Sequence, residues 1–120
     1  MKLYHYSNAD LNIISPRFFK ANSHTPGDSE IPRSYFYFSK DDREKFFLGS
    51  AYLYTVGVDE RRIYDLSFDE LFLLNNRDTI DDTLREIKNR GFIGVRFKQN
   101  GSREIVALFY PQRIIEKIRL

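Results

Sequence analysis

The stretch GFIGVRFKQNGSREIVALFYPQRI, residues 91–114, contains the clearest structural signal in the chain. Two runs rich in β-branched and aromatic residues, 92–97 and 104–110, are separated by a polar segment that contains Asn100-Gly101. Asn-Gly is typical of a tight β-hairpin turn, because both positions readily adopt a positive φ. The stretch therefore predicts two antiparallel strands joined by a hairpin.

Glu104 is the unusual residue of this hairpin, because it begins an otherwise apolar strand. Side chains alternate along a strand, so Glu104, Val106 and Leu108 share one face. A carboxylate on an apolar face has a desolvation cost unless it has partners. Two interpretations stay open: Glu104 is a functional group in a cleft, or it is a solvated charge at the end of a strand.

A helix is predicted just before the hairpin. Ile80, Leu84 and Ile87 form an apolar stripe at helical spacing, and Gly91 stands where a C-terminal cap belongs. A second helix is predicted over 41–49. The capping-box spacing of Ser67 and Glu70 predicts a third helix, which ends near Asn75.

Strands are predicted on both sides of this helical region. They cover 2–7, 34–39, 51–58 and 62–66, and the tail 114–120 is expected to add an edge strand. Strands at both ends with helices between them predict an α+β fold, in a single domain over 1–120.

Composition narrows the chemistry. The absence of cysteine excludes disulfides and thiolate nucleophiles, and with only two histidines we expect no metal site. No apolar run approaches the roughly 20 residues that span a bilayer, and the polar start does not suit a secretory signal. We expect a soluble, cytoplasmic protein with no membrane partner. A net charge of +2 disfavours a long duplex-binding surface but permits a local positive pocket.

Two further positions are candidates for a site. His5 lies within the first predicted strand, where it can donate to a ribose hydroxyl or a phosphate, or be a half-buried histidine bonded to backbone. Tyr37 lies in the aromatic run SYFYFS (34–39), where it either lines a cavity for a flat ring or packs against a neighbouring strand. The long irregular segment 15–33 is rich in Pro, Gly and Ser, and a loop of that length in a small domain is typically functional.

Together, His5, Tyr37 and Glu104 follow the order of a known motif. LYHYSN resembles the first-strand His-Gly-Ser/Thr motif of the ADP-ribosyltransferases, in the His-Tyr-Glu branch that includes diphtheria toxin and the poly(ADP-ribose) polymerases. YFYFSK resembles the Tyr-Phe-Ala/Ser segment of that branch. The stretch 91–114 is similar to the end of small phage and polyvalent-protein ADP-ribosyltransferases. One departure stands out, because Tyr6 replaces the glycine that follows the family histidine.

The resemblance implies a fold of two small packed β-sheets that form an NAD cleft with flanking helices. It implies catalytic roles for Glu104, Tyr37 and His5, with Glu104 stabilising an oxocarbenium-like transition state. NAD is implied as co-substrate, without a metal. The residues implied or inferred to contact NAD are His5, Tyr6, Ser7, Tyr37, Ser39, Phe46, Phe47, Arg17 and Arg33, of which the two arginines follow from their charge and from phosphate binding by arginine.

The expected function is therefore mono-ADP-ribosyl transfer from NAD to a macromolecular acceptor, a protein or a nucleic acid, by a phage or bacterial effector. Two alternatives stay open. The first is a non-catalytic binding or inhibitor module on the same fold, which the Tyr6 replacement favours. The second is a small ribonuclease-type toxin, which the modest net charge disfavours.

Overall fold

The computed structural model describes residues 1–17, 31–40, 50–74, 80–99 and 103–120. Within these ranges the chain forms eight strands, one α-helix and one 3₁₀ turn at Glu60–Arg62. The strands are β1 (Lys2–Ser7), β2 (Ile13–Ile14), β3 (Ser34–Tyr37), β4 (Tyr52–Gly57), β5 (Ile63–Asp65), β6 (Gly94–Gln99), β7 (Arg103–Leu108) and β8 (Gln112–Arg119). The helix, α1, covers Ile80–Asn89.

The described strands form one mixed sheet in the order β2-β8-β4-β1-β3-β7-β6-β5. The predicted α+β fold, with two small packed sheets and flanking helices, is therefore wrong: the chain is mostly β, with a single helix in the described ranges. The reason lies in β1, which pairs with β4 along one side and with β3 along the other. This central strand joins two sets of strands into one sheet.

Each face of the sheet has its own core. Along β7, Val106 is buried in one cluster and Ala107 in the other, as strand alternation requires. The first cluster contains Leu3, Ile14, Phe36, Tyr54, Val56, Ile63, Val106 and Leu108. The second contains Ile31, Tyr64, Leu73, Leu84, Ile87, Val95, Ala107 and Phe109, and it packs beneath α1.

The helix predicted before Gly91 and the hairpin predicted after it are confirmed. Leu84 and Ile87 are buried in the second core, and Gly91 ends the helix with a φ of 95°, which favours glycine. β6 and β7 pair antiparallel with Lys98 opposite Glu104. The Asn100-Gly101 turn itself lies outside the described residues, as does the predicted helix over 41–49.

The helix predicted from Ser67 is wrong, because two aspartates bind the backbone of this segment in a different conformation. The Asp65 carboxylate accepts from the amides of Ser67 and Phe68. Asp69 has a φ of 47°, and its carboxylate accepts from the amides of Leu73 and Leu74. These side-chain bonds compete with helical ones and produce a turn instead.

The tail forms the predicted strand, but that strand is not at the edge. β8 pairs with β4 through most of its length, while Ile13 and Ile14 of β2 pair with its first two residues on the other side. No helix within the described ranges is long and apolar enough to cross a membrane.

Candidate functional site

A cleft opens where β1 and β3 separate. The two strands share one backbone pairing, Tyr4 with Tyr37, and beyond it they diverge. The cleft has a volume of about 600 Å³, within the range of small-molecule sites. Its lining includes His5, Tyr6, Ser7, Arg17, Arg33 and Ser34.

One wall of the cleft is formed by residues 10–15, in the part of the chain that leads from β1 through β2. The buried Tyr54 hydroxyl accepts from the Leu11 amide at 2.8 Å and donates to the Ala9 carbonyl. Ile14 is buried in the first core, and the Asn8 side chain accepts from the amide of Ala51. These contacts hold the wall in place without a helix or a long strand.

His5 bridges the gap between the separating strands. Its Nδ1 lies 2.7 Å from the Tyr35 carbonyl oxygen, and its ring centroid lies 5.4 Å from that of Phe36. A carbonyl can only accept, so Nδ1 carries the proton and Nε2 of the neutral ring is an acceptor. Nε2 can therefore accept from a ligand hydroxyl. Donation to a phosphate, which the sequence also suggested, does not suit this tautomer.

The surroundings of His5 favour this neutral ring. Burial lowers the pKa of His5, the hydrogen bond to Tyr35 partly opposes that effect, and the nearby positive charge of Arg17 lowers the pKa further. The alternative predicted from sequence, a half-buried histidine bonded to backbone, describes the Nδ1 contact. The same residue nevertheless lines the cleft.

Arg17 and Arg33 face each other across a short β-bridge at the cleft. Each backbone amide donates to the other residue's carbonyl at 3.0 Å. Side chains directly opposite in a ladder lie on the same side, and two like charges placed so destabilise the pair. The Arg33 guanidinium is oriented by the Tyr35 hydroxyl at 3.1 Å and the Ile31 carbonyl at 3.0 Å.

Two polar groups complete the cleft. Ser34 is 5% exposed, and its hydroxyl has no hydrogen-bond partner in the part of the chain that the structure describes. Asp10 also lines the cleft, but its carboxylate pairs with the Lys117 ammonium, which offsets its charge. The arginines of the lining give the cleft a positive charge, which suits a phosphate-containing ligand.

Glu104 lies outside this lining but on the same face of the sheet as His5. Phe36 pairs with Val106 in the sheet, and the Phe36 ring contacts the His5 ring, so all three side chains lie on one face. Glu104 is two residues from Val106, so its Cα lies about 12 Å from that of His5, from ordinary strand spacing and rise. This distance separates the two side chains, and the fully buried Phe36 and Val106 lie between them on that face.

Glu104 is neither free in solvent nor unpartnered. Arg96 Nη2 lies 2.8 Å from Oε1 and 2.9 Å from Oε2, and Arg96 Nε lies 3.2 Å from Oε1. The Arg96 guanidinium also lies 4.7 Å from the centroid of the Phe38 ring and 3.2 Å from Glu60 Oε1. Burial by itself lowers the pKa of Arg96, but its bonds to Glu104 raise that pKa overall. The guanidinium is therefore fully charged.

Tyr37 occupies the opposite face of the sheet. It pairs with Tyr4 and Ile105, and its ring centroid lies 6.3 Å from that of Tyr6. This position matches the interpretation of Tyr37 as a packing residue between strands. The structure therefore brings His5 and Glu104 to one face but does not bring Tyr37 to them.

Some of the other predicted NAD contacts line the cleft and some do not. Tyr6, Ser7, Arg17 and Arg33 line the cleft with His5, whereas Ser39 follows the end of β3 and is absent from the lining. Phe46 and Phe47 lie outside the described residues.

Sequence reasoning missed Ser34, the wall 10–15 and Arg96. Ser34 and the wall gave no chemical signal. Arg96 was missed because a two-residue Asn-Gly turn would place Phe97 opposite Glu104, whereas the observed register places Lys98 opposite Glu104 and Arg96 on the adjoining diagonal of the same face.

Comparison with known proteins gives no match to a family model, a curated protein or a solved structure. The ADP-ribosyltransferase resemblance therefore rests on the sequence motifs. Among the residues that the structure describes, no group of three His, Asp or Glu side chains could hold a metal ion.

Proposed function

We propose that the chain binds NAD in the cleft between β1 and β3 and transfers its ADP-ribose group to a macromolecular acceptor. The observation that supports this most is the shared lining. The sequence implies NAD contacts for His5, Tyr6, Ser7, Arg17 and Arg33, and all of them line one cleft.

The cleft chemistry suits the two halves of a dinucleotide. His5 Nε2 would accept a hydrogen bond from a ribose hydroxyl, and the paired Arg17 and Arg33 would bind the pyrophosphate. In this arrangement the ligand would contact both β1 and β3 where the two strands do not pair with each other.

The proposed reaction breaks the bond between the ribose C1′ and the nicotinamide nitrogen. The bonding electrons leave with nicotinamide, and positive charge develops on the ribose as in glycoside hydrolysis. The Glu104 carboxylate, on the same face as His5, would accept from the ribose 2′-hydroxyl and stabilise that charge. The acceptor then forms a bond to C1′ and releases a proton.

The test compares the wild-type protein with Glu104→Gln and with Glu86→Gln as a matched control, because Glu86 lies on α1 and pairs with Arg90. Each protein is incubated with adenosine-labelled NAD and a cell lysate, and nicotinamide release and label transfer are measured. We expect both signals in the wild type and the control. A loss of about a hundredfold or more is expected in Glu104→Gln, since the charge acts in the transition state. Equal rates in the wild type and Glu104→Gln would contradict the proposal.

A non-catalytic nucleotide-binding module is the second candidate. The observation that favours it is that Glu104, the carboxylate that the reaction requires, does not line the cleft. Calorimetric titration with NAD and with ADP-ribose separates the two candidates. Saturable binding by the wild type, together with no nicotinamide release in any lysate, would establish the binding module.

A further inference from the structure

The contact between Arg96 and Glu104 has a specific hydrogen-bond pattern. A carboxylate has about four lone-pair directions, two on each oxygen. Arg96 Nε and Nη2 both bond Oε1, whereas only Nη2 bonds Oε2. One acceptor direction is therefore left on Oε2, and its orientation is set by the guanidinium.

Arg96 is itself held from several sides. Its guanidinium stacks over Phe38 at 4.7 Å, and its Nη1 bonds Glu60 at 3.2 Å. Its side chain is 21% exposed and that of Glu104 is 31% exposed, so water screens the pair less than it screens a surface pair. The three groups around Arg96 come from different elements and leave it little freedom to rotate.

Lys98 provides a natural comparison within the same hairpin. It lies directly opposite Glu104 in the register, yet it forms no ion pair with a described residue. Strand geometry would allow a surface Lys-Glu pair there. The structure instead pairs Glu104 with the diagonal Arg96, whose planar fork fixes direction as well as charge.

We propose that Arg96 is a positioning residue for Glu104, which orients the carboxylate so that the remaining lone pair of Oε2 meets a hydroxyl of the bound ligand. This inference rests on the proposed function in so far as the hydroxyl is a ribose 2′-hydroxyl of NAD. Arg96 does not touch the substrate in this arrangement. Its effect on the reaction passes entirely through Glu104.

The kinetic test measures kcat and KM for nicotinamide release in Arg96→Gln, Arg96→Lys and Lys98→Gln. We expect kcat to fall by about tenfold to a hundredfold in Arg96→Gln, because a misplaced catalytic group costs that much, with KM within about twofold. Arg96→Lys keeps the charge without the fork and should lie between Arg96→Gln and the wild type. Lys98→Gln should match the wild type.

A double variant separates positioning from a general structural role. If Arg96 acts through Glu104, adding Arg96→Gln to Glu104→Gln should lower kcat no further than Glu104→Gln alone. Losses that multiply, or a wild-type kcat in Arg96→Gln, would overturn the proposal. Melting curves of each variant show whether it is folded, and Arg96→Lys serves if Arg96→Gln is not.

A second readout does not depend on turnover. In protein labelled with ¹³C at the glutamate δ-carbons, the Glu104 resonance is the one missing from Glu104→Gln. It should move toward the resonances of exposed glutamates in Arg96→Gln and stay in place in Lys98→Gln. An unmoved resonance in Arg96→Gln would refute the positioning role. Absence of nicotinamide release in the wild type, with the resonance shift present, would refute only the proposed reaction.

Discussion

Gly94 in β6 offers a sharp test of the sheet, because its neighbours leave no space for a side chain. A Cβ placed on Gly94 would lie 2.3 Å from the Ala107 carbonyl oxygen and 2.7 Å from Leu108 Cδ2. The carbonyl belongs to the backbone of β7 and cannot rotate away. Gly94→Ala therefore requires β6 to move away from β7 by close to an ångström.

The cost of that movement follows from the contacts it disturbs. The Gly94–Leu108 and Val95–Ala107 pairings would lengthen, and each backbone hydrogen bond contributes about 1 kcal/mol. Overpacking against the fully buried Leu108 costs about 1–3 kcal/mol more. We expect Gly94→Ala to lower the free energy of unfolding by about 3–5 kcal/mol, a large part of the 5–15 kcal/mol of a typical domain.

Urea denaturation followed by circular dichroism measures this loss, with Gly57→Ala as the matched control. Gly57 also lies in a strand, but the nearest atom to its added Cβ is Ile115 Cδ1 at 4.0 Å. Gly57→Ala should therefore change the free energy of unfolding by no more than about 0.5–1 kcal/mol, in the stabilising direction. A loss below about 1 kcal/mol for Gly94→Ala would show that the packing between β6 and β7 is looser than described.

Three other predictions concern charge. Acidification from about pH 7.5 to 5.5 should lower the free energy of unfolding, because burial lowers the pKa of His5 and the unfolded chain takes up a proton below 6.5 that the folded chain does not. The difference in the free energy of unfolding between the wild type and His5→Gln should decrease as the pH falls from 7.5 to 5.5. A constant difference in urea titrations would contradict this prediction. Asp69→Asn keeps a residue that tolerates positive φ but removes the charge, so we expect a loss of about 1–2 kcal/mol at pH 7. Burial by itself raises the pKa of Asp69, but hydrogen bonds from Tyr64 and two amides lower that pKa overall. The stability difference between the wild type and Asp69→Asn should therefore decrease in thermal melts below pH 3.8. A difference that persists to about pH 2 would refute this prediction. Arg33→Gln should weaken NAD binding about tenfold in calorimetry and reduce its salt dependence, whereas Arg61→Gln, which disturbs only an exposed pair with Asp59, should leave both unchanged.

The sequence predicts the local part of this fold well. The helix that ends before Gly91 and the hairpin after it depend on short-range patterns, namely an apolar stripe, a glycine cap and an Asn-Gly turn. The strand at 2–7 is likewise visible from composition and alternation. Each of these signals lies within the element that it predicts.

The sheet could not be predicted, because its order depends on contacts between distant parts of the chain. Nothing local indicates that β1 pairs with both β3 and β4, and this pairing is what replaces two sheets by one. The turn at Asp69 was missed for a related reason. Its carboxylate bonds amides four and five residues ahead, in competition with the helix that Ser67 and Glu70 suggested.

The candidate site, too, was predictable only where it depends on local signals. Residue type indicates His5, Arg17 and Arg33, but their position in one cleft depends on the tertiary structure, including the bridge between the two arginines. The face that Tyr37 occupies depends on the register of β1 with β3, which pairs Tyr4 with Tyr37 and so places His5 on the other face. A shift of one residue in that register would have reversed the result.

The divergence of β1 from β3 also makes the stability of the fold sensitive to occupancy. The strands β4, β8 and β2 lie on one side of β1, and β3, β7, β6 and β5 lie on the other, where the strand pairing among the described residues is the single rung between Tyr4 and Tyr37. A molecule bound between β1 and β3 would contact both parts of the sheet and stabilise the folded state. At a concentration one hundred times its Kd, such a molecule raises the free energy of unfolding by about 2.7 kcal/mol. A nucleotide library can thus be screened by melting temperature alone, before any reaction is known.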